Sequence, residues 1–580
     1  MAKKKQQPDG GKGQLLLNTF NSSNVVSIDT GKSEKKAKKK EEKGRSEQES
    51  TVSVLEPVAA PKQARKTTAE KLATKQRDIS VAEFFTKNRH LLGFDNPARA
   101  LLTTVKEAVD NALDACEEAG ILPEVKIVAT PLNHGERFRI EVLDNGPGIV
   151  KAQIPKIFGK LLYGSKFHTL KQARGQQGIG ISAAGMYGQL TTGAPVVIIS
   201  RIRESMPASK FLLRIDMQRN NPEILEEDRI DVEWTHGTSV SIDLEATYKK
   251  GPHSVDEYVE LSAVANPHAT IIYVNPDGEE TRYERTSMDM PPETREMKPH
   301  PYGVELGMLL KIFQGSKKHS VKAMLMQSFS RVSQKVASEI CGKAGIRETT
   351  RASKLQPEEV EAIHKSIREV KIMAPPSKSV APIGEDLIIA GLKRKFDADY
   401  YFSCTRPPSV YRGNPFIIEA GIAYGGKLPA DRHADVVRFA NRVPLLYQKG
   451  ACAITEGCTE ISWRNYGLSQ PSGSLPIGPL AIFVHMASAW VPFTSESKEA
   501  VAHYPEIIKE IKLALQECGR KLGMHISARK KEAEAERKRS YIEKYIPHIG
   551  IALRDILGLS EKEETTINAT LKQMLEKKPV

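Results

Sequence analysis

The chain has 580 residues, of which 40% are hydrophobic and 27% charged, and its formal net charge is +14. That length implies three or four domains, and no apolar run reaches the roughly 18 residues that a membrane span requires. Six cysteines with no CxxC pair argue for a reducing compartment and against a disulfide framework or a zinc site. The charge is unevenly placed. Residues 1–78 carry 18 Lys/Arg against 10 Asp/Glu, and residues 520–544 carry 9 against 4, which leaves the remainder nearly neutral. Basic segments suit nucleic acid, although many are merely solvated.

Residues 1–77 are rich in Lys, Ser, Gln and Glu, with the run KKAKKKEEK at Lys35–Lys43. Such a composition buries too little apolar surface to order itself, so a disordered basic tail is expected. LLLNTF at Leu15–Phe20 is too short for a signal-peptide core. Order is expected from Ile79, where ISVAEFFTKNRHLLGF reads as a short helix and a strap with exposed aromatics. The central helix follows, LLTTVKEAVDNALDACEEA at Leu101–Ala119. Val105, Ala108, Val109, Ala112 and Cys116 recur at helical spacing and form one buried stripe. Glu107, Asn111 and Asp114 share the opposite side. A solvated face favours Lys and Glu over Asn; an amide oxygen can bind a hard cation, and a carboxylate one turn away can activate water.

Val125–Ala129 and Phe138–Leu143 read as strands, the second closing on Asp144-Asn145-Gly146-Pro147-Gly148. An aspartate at a strand end can accept a bond from an amino group, and glycine lets a ligand approach closely. A helix and loop through Ser165 and Lys166 leads to Gly175-Gln176-Gln177-Gly178-Ile179-Gly180, which opens another helix. Such a loop offers unpaired N–H groups and a positive helix end to a phosphate. His236-Gly237-Thr238 then begins an alternating strand.

In this order and spacing the four pieces resemble the GHKL ATPase superfamily of gyrase, Hsp90, histidine kinases and MutL. That implies an α/β fold in which a mixed sheet is covered by helices that hold ATP. PHPYGVE, IGEDLI, FANRVPLLY and SKEA are similar, more narrowly, to the B-subunit family of the type IIB DNA topoisomerase, topoisomerase VI. The resemblance spans Ile79 to about Leu557. It implies a GHKL domain with its strap over 78–298, a helix-two-turn-helix domain over 299–375 and an α/β transducer over 376–527. A C-terminal helical segment over 528–580 would dock the A subunit of such an enzyme. The long helix around Ile507–Leu522 is followed by Ser527–Leu557, whose first half is charged on all sides, while Tyr541, Tyr545, Ile546, Ile549, Ile551, Leu553, Ile556 and Leu557 make an apolar end.

The same resemblance implies the roles. Glu107 is the general base, Asn111 the magnesium ligand, Asp144 the adenine-binding aspartate and Thr238 a second adenine contact. Gly175, Gln176, Gln177, Gly178, Ile179 and Gly180 form the phosphate lid, the two glutamines standing where many relatives carry an aromatic. Gly146, Gly148, Ser165 and Lys166 complete the nucleotide contacts, and Lys498 reaches the γ-phosphate from the transducer. The implied activity is ATP hydrolysis with Mg2+ that gates passage of one duplex through another, relaxing and decatenating DNA. A second B protomer, the topoisomerase VI A subunit in an A2B2 heterotetramer and double-stranded DNA are the implied partners, with no membrane, in a cytoplasmic, nucleoid-associated setting. Asp397-Ala398-Asp399 beside Tyr400 imitates a cleavage site, but no companion glutamate motif accompanies it. A scaffold without turnover is disfavoured by the intact Glu107, Asn111, Asp144 and Lys498. Cys452 and Cys458 are expected to be plain strand and loop residues.

Overall fold

The computed structural model describes Ala73 and residues 79–577, apart from 133–134, 167–168, 176–177 and 317. The basic tail expected over 1–77 therefore lies outside the described residues, Ala73 excepted, and so do Gln176 and Gln177.

The N-terminal α/β part contains α1 (Val81–Lys87), α2 (Pro97–Glu118), β1 (Glu124–Leu132), β2 (Arg137–Asp144) and α3 (Ile154–Gly159). It continues through α4 (Gly180–Thr192), β3 (Val196–Arg201), β4 (Ala208–Asp216), β5 (Asn221–Ile230) and β6 (Gly237–Glu245) to α5 (Val255–Ala265), β7 (Thr270–Val274) and β8 (Glu280–Tyr283). The eight strands run in the order β5-β4-β3-β6-β2-β1-β7-β8, and only the β1–β7 pair is parallel. Alternation fixes which face is covered. Val125, Ile127, Phe138, Ile140 and Val142 enter the core, while Lys126, Arg139 and Glu141 are exposed.

Helix α2 lies on the covered face. The Asn96 side chain caps it by accepting the Arg99 amide at 2.9 Å, and Pro97 takes the first turn, where its missing N–H is harmless. The stripe from Val105 to Cys116 is buried as the spacing predicts. The segment before α2 departs from expectation. Phe85 and Phe94 are buried and Phe84 packs beside them on the chain's own core, with Phe94 stacked on Tyr187 at 5.0 Å. Two large rings here find more apolar surface than solvent would leave them.

Helices α6 (Leu306–Gln314), α7 (Val321–Ser328), α8 (Gln334–Lys343) and α9 (Pro357–Glu369) enclose a separate core centred on Leu309, Phe313, Leu325 and Ile363. A second α/β part follows with α10 (Glu385–Lys395), β9 (Tyr400–Thr405), β10 (Ser409–Tyr411), β11 (Asn414–Tyr424), β12 (Asp435–Ala440) and β13 (Val443–Pro444). Then come α11 (Ala453–Thr459), β14 (Leu480–Ser488), α12 (Pro505–Leu557) and α13 (Glu561–Lys577). Its strands order as β10-β11-β14-β12-β13, with β9 also on β11. Cys452 is the residue before α11 and Cys458 lies within it, so neither is in a strand; both thiols are buried and free.

Every residue of β14 is buried, because its two faces serve two cores. Ala481 and Phe483 belong to the core shared with the N-terminal part, while Ile482, Val484 and Met486 pack with the first turns of α12. The two α/β parts are thereby one packed body. Helix α12 runs unbroken from Pro505 to Leu557 through Pro547, and α13 returns along it. A side chain at Gly550 would meet Asn568 Oδ1 at 2.2 Å, so the return is close. Ile546 is buried there, whereas Tyr541, Tyr545, Ile556 and Leu557 remain exposed.

Phe483 is wholly buried, with its ring 4.8 Å from that of Phe439. Phe483→Ala should cost about 3–5 kcal/mol. The thermal unfolding midpoint should fall clearly, while Met308→Ala, at 54% exposure, should leave it unchanged. Equal midpoints for both variants would refute the shared core.

Candidate functional site

One cleft of about 560 Å³ opens between α2, the end of β2, the glycine-rich loop and the loop after β14. That volume suits a ligand of nucleotide size. Glu107, Asn111, Asp144, Gly148, Ser165, Lys166, Gly175, Gly178, Ile179, Gly180, Thr238 and Lys498 all line it. Gly146 does not. It is buried behind the cleft wall, and its contribution is its amide.

At the β2 end, Asp144 Oδ1 accepts the Gly146 amide at 2.8 Å and the Thr238 amide at 3.2 Å. Burial pushes its carboxyl up to about 6, and those two amide bonds only partly restrain the shift. The Thr238 hydroxyl lies 3.0 Å from the Ser200 hydroxyl, which also accepts the Ile149 amide at 2.8 Å. These bonds hold the DNGPG turn against β3 and β6. Gly148 has φ +70, and a Cβ there would meet the Arg201 carbonyl at 2.2 Å; no other residue fits.

At the other end, Glu107 and Gly180 are matched. A Cβ on Gly180 would fall 1.7 Å from Glu107 Oε2, so the glycine leaves room for the carboxylate at the start of α4. Asn111 is exposed in the cleft, its Oδ1 3.5 Å from the point a Gly175 Cβ would occupy.

Asp114 is on the side the spacing assigned, yet it is buried rather than solvated. Its carboxylate accepts Lys166 Nζ at 2.6 Å, Arg174 Nη1 at 2.8 Å and the Gly175 amide at 3.2 Å. Burial opposes its ionisation, but Lys166 and Arg174 hold the carboxyl below its usual range. Arg174 also grips both Glu117 oxygens, at 2.9 and 2.6 Å, and donates to the Asn266 side chain. Asn441 Nδ2 donates to the Ala173 carbonyl at 3.1 Å. The start of the glycine-rich loop is thus anchored to α2 and to the second α/β part together. Lys166 lines the cleft with its ammonium committed to Asp114.

Lys498 arrives from the loop 494–500, whose flanking residues Phe493 and Val501 pair with one another. It has φ +53, uncommon for a residue with a side chain, and its amide donates to the Ser495 carbonyl at 3.1 Å. Its Nζ donates to the Arg174 carbonyl at 3.2 Å and lies 3.7 Å from Glu107 Oε1. Two residues far apart in sequence therefore face one another across the cleft.

Sequence reasoning overlooked Lys106, Arg174 and Ser200. Each is buried and polar, and each acts on a motif residue rather than lying in a motif. Arg174 stood immediately before Gly175 and Lys106 immediately before Glu107, which was the available signal. The Asp397–Asp399 pair is spent on structure, with Asp397 on Lys427 at 2.6 Å and Asp399 on Arg529 at 2.8 Å. Among the described residues no helix is long and apolar enough to cross a membrane.

The family model described as histidine kinase-, DNA gyrase B- and HSP90-like ATPase matches residues 96–246, which carry every cleft residue named above except Lys498. The model for the transducer of the topoisomerase VI B subunit matches residues 375–538, which include Lys498. The B subunit of type 2 DNA topoisomerase 6 from Methanococcoides burtonii is 47% identical over 508 residues, covering 87% of this chain and 81% of that one. Its counterpart in Methanosarcina mazei is 45% identical over 508 residues, with the same coverages. That of Archaeoglobus fulgidus is 42% identical over 505 residues, covering 87% and 83%. At such identities across most of both chains, this chain belongs to the B-subunit family of type 2 DNA topoisomerase 6.

Proposed function

We propose that the cleft binds ATP and that its hydrolysis gates the passage of one DNA duplex through another, in company with a DNA-cleaving A subunit. The observation that carries this is the meeting of Glu107, Gly180 and Lys498 at one end of the cleft while Asp144 and Thr238 stand at the other. The adenine amino group would donate to Asp144, with the Thr238 hydroxyl beside it. The amides of Gly175, Gly178 and Gly180 would receive the phosphates at the start of α4. Glu107 then takes a proton from the attacking water as the bond to the leaving ADP oxygen breaks. Lys498 stabilises the charge gathering on the γ-phosphate oxygens.

Asn111 suits magnesium. Its amide oxygen is a hard donor at the cleft, and no group of three or more acidic, His or Cys side chains that could cage a metal occurs among the described residues. Asn111 would hold Mg2+ beside the phosphates, where the ion would neutralise charge on the triphosphate. The domain limits we favour are those at 298, 375 and 527, with each intervening part carrying its own core or sheet. The exposed Tyr541, Tyr545, Ile556 and Leu557 at the far end of α12 suit a docking surface for the DNA-cleaving partner. ATP binding would join two copies of this chain in an A2B2 assembly acting on chromosomal DNA in the cytoplasm. A steady-state assay tests the reading: the chain together with its DNA-cleaving partner should hydrolyse ATP faster when duplex DNA is added, and absent turnover would leave a scaffold.

Three outcomes follow from the site. Glu107→Gln should retain nucleotide affinity while turnover falls by about 10²–10⁴, the usual loss with a general base; near-parental hydrolysis would remove Glu107 from that role. With Oδ1 taken by two amides, Asp144 accepts from adenine best through an ionised Oδ2, and its carboxyl is pushed up to about 6. Its proton competes with the nucleotide, so ADP affinity should be steady above about pH 7 and weaken roughly tenfold per unit below about pH 6. Asp144→Asn should bind poorly at every pH, and a flat parental profile down to about pH 5 would contradict the assignment. Lys498→Ala should lower kcat by about 10²–10³ with ADP affinity unchanged, since ADP offers it no γ-phosphate. Weakened ADP binding in that variant would place the lysine elsewhere.

A further inference from the structure

Lys498 is presented by a loop, yet loops alone hold charges loosely, and what fixes this one comes from α2. Lys106 is buried, and its Nζ donates to the Ser497 carbonyl at 3.1 Å. Arg99 Nε donates to Glu499 Oε1 at 2.8 Å, and Arg99 Nη2 reaches the Ser497 hydroxyl at 3.4 Å. The residues on either side of Lys498 are therefore both gripped by cations of the helix that bears Glu107. Asp110, one turn after Lys106, is buried too and accepts the Tyr258 hydroxyl at 3.0 Å.

We propose that Lys106 is a positioning residue for ATP hydrolysis, locking the Ser497 carbonyl so that Lys498 keeps its left-handed backbone and aims its ammonium at Glu107 and the incoming γ-phosphate. This rests on the functional reading given above. Lys106 and Glu107 are consecutive, so one turn of helix sends one side chain into the cleft and its neighbour to the presenting loop. The distance between base and cation is set by α2 itself. A buried ammonium is costly to keep, and burial holds the Lys106 amine below its usual range, with Asp110 and Glu107 opposing that shift. A stabilising role alone would be served as well by an apolar side chain; a bond to the carbonyl next to Lys498 would not.

The test is a double-mutant cycle on ATP hydrolysis by the full chain assembled with its DNA-cleaving partner, using Lys106→Met and Lys498→Met. Lys106→Met should lower kcat about 10–100-fold with ADP affinity unchanged, and should lower it no further in the Lys498→Met background. Lys106→Arg, which keeps a donor, should recover part of the loss. If Lys106→Met fails to fold, Arg99→Gln gives the same reading from the other side of the loop, with a smaller loss again absent in the Lys498→Met background. Equal losses with and without Lys498 would overturn the proposal, as would weaker ADP binding by Lys106→Met. The two claims fail separately: parental turnover by Lys498→Met would sink the functional reading. A loss there with none in Lys106→Met or Arg99→Gln would sink only this inference.

Discussion

The carboxylate of Asp114 is the constraint on which the cleft depends. It is buried on α2 and charged, a combination that a protein keeps only when partners satisfy it. Lys166, Arg174 and the Gly175 amide do so, and each belongs to the segment that would lie over the phosphates. Removing the carboxylate would free the start of the glycine-rich loop and leave the buried Arg174 with Glu117 as its one carboxylate partner, beside the Asn266 side chain. The loop can therefore be glycine-rich and still have a defined starting point.

From Arg174 the same network passes to the second α/β part. Its carbonyl holds Lys498 and the neighbouring Ala173 carbonyl holds Asn441. Asn441 and Arg442 both have positive φ, and the Arg442 amide donates to His485 Nε2 at 3.0 Å. His485 in turn faces Glu419 at 2.7 Å across the β11–β14 pair, both side chains being fully buried. That bond pattern fixes the imidazole as neutral, with its proton on Nδ1, and burial lowers its basicity. A chain of polar groups thus links the cleft to the centre of the second sheet, while β14 shares apolar residues with both cores. Movement at the Glu107 end of the cleft has a stiff route into the second part.

Much of this was legible beforehand because the motifs are made of residues with few physical alternatives. Gly148 admits no side chain, one at Gly180 would displace Glu107, and Asp144 ends its strand at the one place where two amides converge on it. Lys498 followed from the resemblance, not from periodicity. What remained hidden were long-range polar pairings. Nothing local tells Asp114 from a solvated acid, since its partners come 52 and 60 residues later. The strap aromatics are buried rather than exposed for the same reason, because the partner surface of Phe94 includes Tyr187, which comes much later in the chain. The long helix expected around Ile507–Leu522 runs on to Leu557, through the exposed Pro547.

On the function proposed above, the γ-phosphate, through Lys498, would set how the second α/β part meets the first. Small-angle scattering of the unmodified chain with a nonhydrolysable ATP analogue, with ADP and with no nucleotide addresses it directly. A distinct profile is expected with the analogue, while ADP and nucleotide-free samples coincide. Identical profiles in all three conditions would contradict it.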